Sequence, residues 1–201
     1  MSGQIPASAI VLAGGRSTRF GSDKAAAQLA GRPMLEWVVA AVGSVCEDVV
    51  VVGGPERSLP GTRYIPDPGP PRGPLGGIVA GMRAARFNAC FASGCDVPLL
   101  VPGLVRLALR ALDGAAAAVP VVGGVPQPLT AAFSRDLCLP PFEAALAASA
   151  GGPIHALRSV ATNEIDEATV RSVDPGLRSF LNANTPGAFA ALEALVRGAA
   201  P

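Results

Sequence analysis

The chain has 201 residues, a length that suits one domain. Half of the residues are hydrophobic, so a sizeable core can form, and this content argues against disorder despite 24 glycines and 20 prolines. The formal net charge is +1, so the chain lacks the excess of positive charge that is typical of nucleic-acid-binding proteins. The 16 cationic residues are fifteen arginines and a single lysine, Lys24.

The mean hydropathy of +0.42 raises the question of a membrane span. The longest uncharged interior stretch, 114–134, is long enough, but its prolines and paired glycines indicate strand, turn and strand. The first fifteen residues hold no lysine or arginine and so lack the basic part of a signal peptide. The four cysteines show no CxxC spacing and are expected to be small buried side chains. We therefore predict a cytoplasmic protein.

The first two thirds of the chain alternate short apolar runs with helical patterns. Four runs indicate parallel strands because they are apolar and stop at glycine or proline; they lie at 9–12, 48–52, 63–65 and 89–93. Helical patterns lie at 34–42, 75–86 and 102–112. A further strand at 115–122 continues the alternation. The pattern predicts an α/β fold with a doubly wound, mostly parallel, Rossmann-like sheet flanked by helices.

The pattern changes in the C-terminal third, which we interpret as a small hairpin and helix elaboration. Residues 121–133 suggest a hairpin, and 136–149 suggest a helix interrupted by Pro140 and Pro141. A short helix at 153–160 and a last helix at 186–197 follow. No linker or repeat separates this part, so residues 1–201 are expected to form a single domain.

The densest signal is the loop after the first strand, residues 12–24, LAGGRSTRFGSDK. Open α/β sheets bind ligands at the carboxyl ends of their strands, and this loop leaves the first strand. Glycines let backbone N–H groups approach phosphate oxygens, while Arg16, Arg19 and Lys24 can neutralise phosphate charge. The loop fits neither the Walker pattern nor the GxGxxG fingerprint. We predict a phosphate site of another kind; an exposed surface turn is the alternative.

Two aspartates lie where such a sheet would present them to a ligand. Asp96 follows the strand at 89–93, and a single carboxylate suits Mg²⁺, which shares its other positions with phosphates and water. The alternative for Asp96 is capping of the helix that begins at Pro102. Asp67 follows the strand at 63–65 and could equally be a turn residue between prolines.

The motif LAGG-R-S-x-R-F-G-x-D-K-A resembles the signature of the molybdenum cofactor guanylyltransferase family, within the wider nucleotidyltransferase fold. The resemblance implies that the loop wraps the triphosphate of GTP, that Asp96 binds Mg²⁺ and that Asp67 contacts the nucleotide. The implied nucleotide-binding residues are Leu12, Ala13, Gly14, Gly15, Arg16, Lys24, Asp67, Gly77 and Asp96. The implied catalytic residues are Lys24, Arg19 and Asp96.

The chain departs from the family pattern at one position, after the second strand. Members often have Asn there to contact the nucleotide, whereas this chain has Gly53 and Gly54, so that contact is missing or is made by backbone.

The segment FLNANTP, residues 180–186, resembles an F-x-N-x-N-T-P element that borders the active site in the same family. Asn184 or Thr185 can cap the last helix, with Pro186 in its first turn. Asn182 lies two residues earlier and would be free to face the ligand cleft. We therefore predict an acceptor-side role for Asn182, with capping alone as the alternative for the segment.

The resemblance implies transfer of GMP from GTP to the phosphate of a molybdopterin-type cofactor, with Mg²⁺ and release of pyrophosphate. Residues 1–112 would then bind nucleotide and 113–201 the acceptor. Molybdoenzymes or their chaperones would receive the product, and no nucleic acid or membrane partner is expected. The alternatives are CTP as donor, a sugar or alditol phosphate as acceptor, and a non-catalytic nucleotide-binding regulator.

Overall fold

The computed structural model describes residues 3–14, 24–67, 73–149 and 151–198. Its strands, in chain order, are β1 Ile5–Leu12, β2 Gln28–Leu29, β3 Arg32–Pro33, β4 Cys46–Val52, β5 Arg63–Ile65, β6 Ala89–Gly94, β7 Ala117–Val122, β8 Val125–Pro126, β9 Thr130–Ser134 and β10 Thr162–Ile165. The α-helices are α1 Met34–Gly43, α2 Gly73–Ala84, α3 Pro102–Arg110, α4 Arg135–Ala147, α5 Pro153–Leu157, α6 Glu167–Arg171 and α7 Pro186–Gly198. Short 3₁₀ helices span Lys24–Ala26 and Arg178–Phe180.

One large sheet organises the fold, with strands in the order β10-β7-β9-β6-β1-β4-β5 and with β8 paired to β7. Strands β5, β4, β1 and β6 are mutually parallel, as are β10 and β7. Strand β9 lies antiparallel between β6 and β7. The prediction of a mostly parallel, doubly wound sheet is confirmed. Strands from both sides of residue 112 belong to this sheet.

The core lies in two layers because successive side chains of a strand point to opposite faces of the sheet. In β1, Ala9 and Val11 pack in the layer that contains α1 and α3. Ile10 packs in the opposite layer, with α2 and α4. The neighbouring β4 alternates in the same way, and this is why its continuous run of valines is buried on both faces.

Helix α2 lies unusually close to β1 because glycines face the strand. A Cβ at Gly81 would overlap Cγ2 of Ile10 and lie 3.0 Å from its Cγ1. A Cβ at Gly77 would lie 2.8 Å from Cδ2 of Leu12, the last residue of β1. These contacts fix the position of α2 beside the strand end from which the glycine-rich loop leaves.

We expect Gly81→Ala to lower the free energy of unfolding by about 1–3 kcal/mol, since an extra methyl here overpacks the core. Urea denaturation monitored by circular dichroism measures this change. Gly187→Ala in α7 is the matched control, because a Cβ there meets no atom within 4 Å. Equal midpoints for both variants would contradict the packing argument.

Three features of the C-terminal third differ from the sequence expectation. Helix α4 contains Pro140 and Pro141 and continues through them, so the prediction that these prolines interrupt the helix was wrong. Burial of Cys138 and Phe142, with the Phe142 ring edge-on to Phe133 at 5.7 Å, outweighs the lost hydrogen bonds. The predicted hairpin is β7–β8, after which β9 returns to the centre of the sheet. Strand β10 and helix α6 were not predicted.

All four cysteines are buried, as predicted, and none of them forms a disulfide bond. Burial raises the pKa of the Cys46, Cys90 and Cys138 thiols to about 12, so these thiols stay protonated and act as small apolar side chains. Within the described ranges, no helix is long and apolar enough to cross a membrane.

Candidate functional site

Four parallel strands end together at one edge of the sheet. Leu12 of β1 lies opposite Val52 of β4 and Gly94 of β6, and Val52 lies opposite Ile65 of β5. The residues that follow these strands therefore meet at this edge, where ligands bind in open α/β sheets. They include Ala13, Gly14, Gly53, Gly54, Asp67 and Asp96.

Gly14 and Gly53 pack against each other where the turns after β1 and β4 meet. A Cβ at Gly14 would lie 3.2 Å from the Cα of Gly53 and 2.9 Å from Oδ2 of Asp67. Gly53 and Gly54 have φ of +77° and +69°, values that favour glycine. The Asp67 carboxylate therefore rests against both turns. Any side chain at Gly14 or Gly53 would push the two turns apart or displace Asp67.

The centre of the site is an ion pair between Lys24 and Asp96. Lys24 Nζ lies 3.1 Å from Asp96 Oδ2, with side-chain exposures of 18% and 27%. The same Nζ donates a hydrogen bond to Oδ1 of Asn184, 160 residues away in the chain. The structure thus brings two predicted site residues together and adds Asn184 to them.

A small third cluster holds Lys24 and Asn184 next to each other. It is formed by Leu29, Met34, Ala183 and Leu192, so that the β2–β3 hairpin, α1 and α7 share one core. The backbone N–H of Ala183 also donates to the carbonyl of Asp96 at 2.9 Å. The segments that carry Lys24, Asp96 and Asn184 are therefore held in place by packing and by backbone hydrogen bonding.

The segment that leads to Asn184 is braced by a buried carboxylate that the sequence analysis did not single out. Asp174 accepts hydrogen bonds from the backbone N–H groups of Arg178, at 2.9 Å, and Ser179, at 2.8 Å. The Ser179 hydroxyl accepts one from the N–H of Val101, at the start of α3. Asp174 could have been identified from the sequence as an aspartate placed four to five residues before the backbone N–H groups of a short turn.

Asp96 is the described side chain that best fits a divalent cation at this edge. A Cβ at Gly94 would come to 2.5 Å from Oδ1 of Asp96, so the missing side chain makes room for this oxygen. Among the residues described, no group of three or more His, Cys, Asp or Glu side chains could hold a metal. A single carboxylate suits Mg²⁺ that is bound mainly through phosphates and water. The alternative of capping does not hold, because α3 has Val101 at its N-cap.

The other predicted residues are placed as follows. Asn182 is exposed, whereas Asn184 contacts Lys24. Thr185 takes the capping role, since its hydroxyl accepts from the N–H of Ala188 at 3.1 Å. Gly77 lies against Leu12, as described above. The predictions for Gly15, Arg16 and Arg19 lie outside the described residues.

Comparison with known proteins assigns the chain to a family. The model of the MobA-like NTP transferase domain matches residues 9–170, which include Lys24, Asp67 and Asp96. The chain is a member of the MobA-like NTP transferase family. It is therefore a nucleotidyltransferase, as the sequence analysis predicted.

Relatives within this family match nearly the whole chain. The molybdenum cofactor guanylyltransferase of Desulfosudis oleivorans is 34% identical over 192 residues, which cover 94% of this chain and 95% of that protein. A protein of Pelotomaculum thermopropionicum with the same name, qualified as "probable", is 33% identical over 184 residues, 90% of this chain and 89% of its own. The structure of molybdopterin-guanine dinucleotide biosynthesis protein A from Archaeoglobus fulgidus has a TM-score of 0.81 at 24% identity, covering 96% of this chain and 99% of that chain. This last likeness shows the shared fold.

Proposed function

We propose that this MobA-like NTP transferase transfers GMP from GTP to the terminal phosphate of a molybdopterin-type molybdenum cofactor. The observation that carries the proposal is the Lys24–Asp96 pair at the carboxyl edge of the sheet, in a chain 34% identical to a molybdenum cofactor guanylyltransferase over 94% of its length. A cation and a carboxylate that could hold a metal ion, side by side at the ligand-binding edge of the sheet, suit the phosphates of a nucleotide.

The reaction needs no covalent intermediate with the protein. An oxygen of the acceptor phosphate attacks the α-phosphorus of GTP, a new P–O bond forms, and the bond to the β-phosphate breaks to release pyrophosphate. The acceptor phosphate is already ionised near neutral pH, so no general base is required. Catalysis then rests on positioning the two substrates and on neutralising the charge of the triphosphate.

The residues of the site divide this work. Lys24 holds phosphate oxygens, together with Arg16 and Arg19 of the preceding loop. Asp96 would ligate Mg²⁺, which when bound supplies further neutralisation of the phosphates. Asp67, whose carboxylate rests against Gly14 and Gly53, would contact the nucleotide. The exposed Asn182 lies in the same segment as Asn184 and suits a role toward the acceptor.

The test is a pyrophosphate-release assay with each of the four nucleoside triphosphates, with and without molybdopterin. We expect release that requires both GTP and molybdopterin. Release with CTP and molybdopterin would make the protein a cytidylyltransferase, and release independent of molybdopterin would point to another acceptor. Nucleotide binding without pyrophosphate release under any condition would favour a regulator and refute the proposal.

A further inference from the structure

The Lys24 ammonium lies against Asp96, the carboxylate that would hold a metal ion. Its Nζ is 3.1 Å from Asp96 Oδ2, and both side chains are largely buried. The other oxygen, Oδ1, lies over Gly94, where even a Cβ would come to 2.5 Å from it. The carboxylate thus has a cationic partner within the chain and packs on one side against its own backbone.

Asn184 restricts Lys24 to this position. The amide oxygen of Asn184 accepts from the same Nζ, and the neighbouring Ala183 N–H is bonded to the carbonyl of Asp96 at 2.9 Å. The ammonium therefore has two oxygen acceptors that are fastened to each other through the backbone. A lysine ammonium suits this geometry because it is a compact point charge with three donors.

A free divalent cation that approaches Asp96 must either displace this ammonium or bind to a carboxylate whose Oδ2 lies 3.1 Å from a like charge. A triphosphate meets the opposite situation, because its negative oxygens compete with Asp96 and Asn184 for the same ammonium. Once phosphate oxygens draw Lys24 away from Asp96, the carboxylate loses its internal partner and is open to a cation.

We infer that Lys24 has a second role as an internal counter-ion, held by Asp96 and Asn184, which excludes free divalent cations from Asp96 until a nucleoside triphosphate takes over the ammonium. The inference rests on the proposed use of a nucleoside triphosphate. It makes metal binding at Asp96 dependent on nucleotide.

Mn²⁺ binding without nucleotide, followed by electron paramagnetic resonance, tests the exclusion. We expect Lys24→Met to bind Mn²⁺ about ten-fold or more tightly than the unmodified protein, since one nearby positive charge is removed. The double variant Lys24→Met/Asp96→Asn should lose this gain. Arg197→Met is the matched control, because it removes one positive charge from an exposed pair with Glu193 on α7. Equal Mn²⁺ affinity of the unmodified protein and Lys24→Met would overturn the inference.

The single lysine allows a second test on the unmodified protein. Lysine labelled with ¹³C gives one side-chain Cε signal, which reports on Lys24 alone. We expect Mg²⁺ alone to leave this signal unchanged and GTP without metal to shift it. A shift with Mg²⁺ alone would overturn the inference even if Lys24→Met fails to fold. A shift with CTP and not with GTP would instead contradict the proposed donor and leave the counter-ion role intact.

Discussion

Lys24→Ala is expected to stay folded and to transfer GMP about 100- to 1000-fold more slowly, the effect typical of removing one charge that stabilises a transition state. Among the residues that the structure describes, Lys24 is the positively charged side chain that lies next to Asp96 at the carboxyl edge of the sheet. Turnover measured as pyrophosphate release, with circular dichroism to verify folding, checks this result.

Lys24→Arg makes the prediction more specific. It preserves the charge, but a planar guanidinium does not replace a compact ammonium between Asp96 and Asn184, so transfer should also be impaired. Arg197→Ala, at an exposed position of α7, should retain full activity. Turnover of Lys24→Ala equal to that of the unmodified protein would show that the site is elsewhere, and equal turnover of Lys24→Arg would contradict the need for a compact ammonium.

Arg63→Ala is expected to lower the free energy of unfolding by about 3 kcal/mol, because it leaves a buried carboxylate without its main partner. That carboxylate belongs to Asp48, which is only 3% exposed. Arg63 donates to both of its oxygens, at 2.8 and 2.7 Å, and the Ser8 hydroxyl donates at 2.7 Å. The network joins β1, β4 and β5, away from the candidate site. Urea denaturation measures the loss.

Arg83→Ala is the control for this prediction. Arg83 pairs with Glu143 on the surface, and exposed pairs of this kind contribute at most about 1 kcal/mol. A loss for Arg63→Ala as small as that for Arg83→Ala would contradict a structural role for the Asp48 network.

The same network sets an acid limit on stability. Burial by itself would raise the pKa of Asp48, but hydrogen bonds from Ser8, Arg63 and the Arg86 N–H, with the Arg63 charge, lower it below 3.8. The stabilisation is therefore fully present above the unfolded pKa of about 3.8 and is lost as the pH falls through the lower folded pKa. In Arg63→Ala the folded pKa of Asp48 should rise toward its unfolded value, so urea midpoints should depend less on pH below about 4 than those of the unmodified protein.

Much of the fold could be predicted because its central strands carry strong local signals. The valine run of β4 and the apolar run of β1 are buried on both faces, so hydrophobicity alone marks them as internal strands. Strand β10 could not be found in this way, since only Ile165 of its four residues is buried. It is an edge strand defined by its pairing with β7.

By itself, the sequence determined the α/β class and the family motif, and it led to the prediction of Lys24 and Asp96 as site residues, because glycine spacing and strand ends are local properties. Only the tertiary structure decided which asparagine meets Lys24. Asn184 and Thr185 are both capping candidates in the sequence, and docking of α7 on the third cluster turned Asn184 to the ammonium. Tertiary packing likewise keeps α4 continuous at Pro140 and Pro141. A side chain in an irregular segment takes its direction from distant contacts, which no local pattern records.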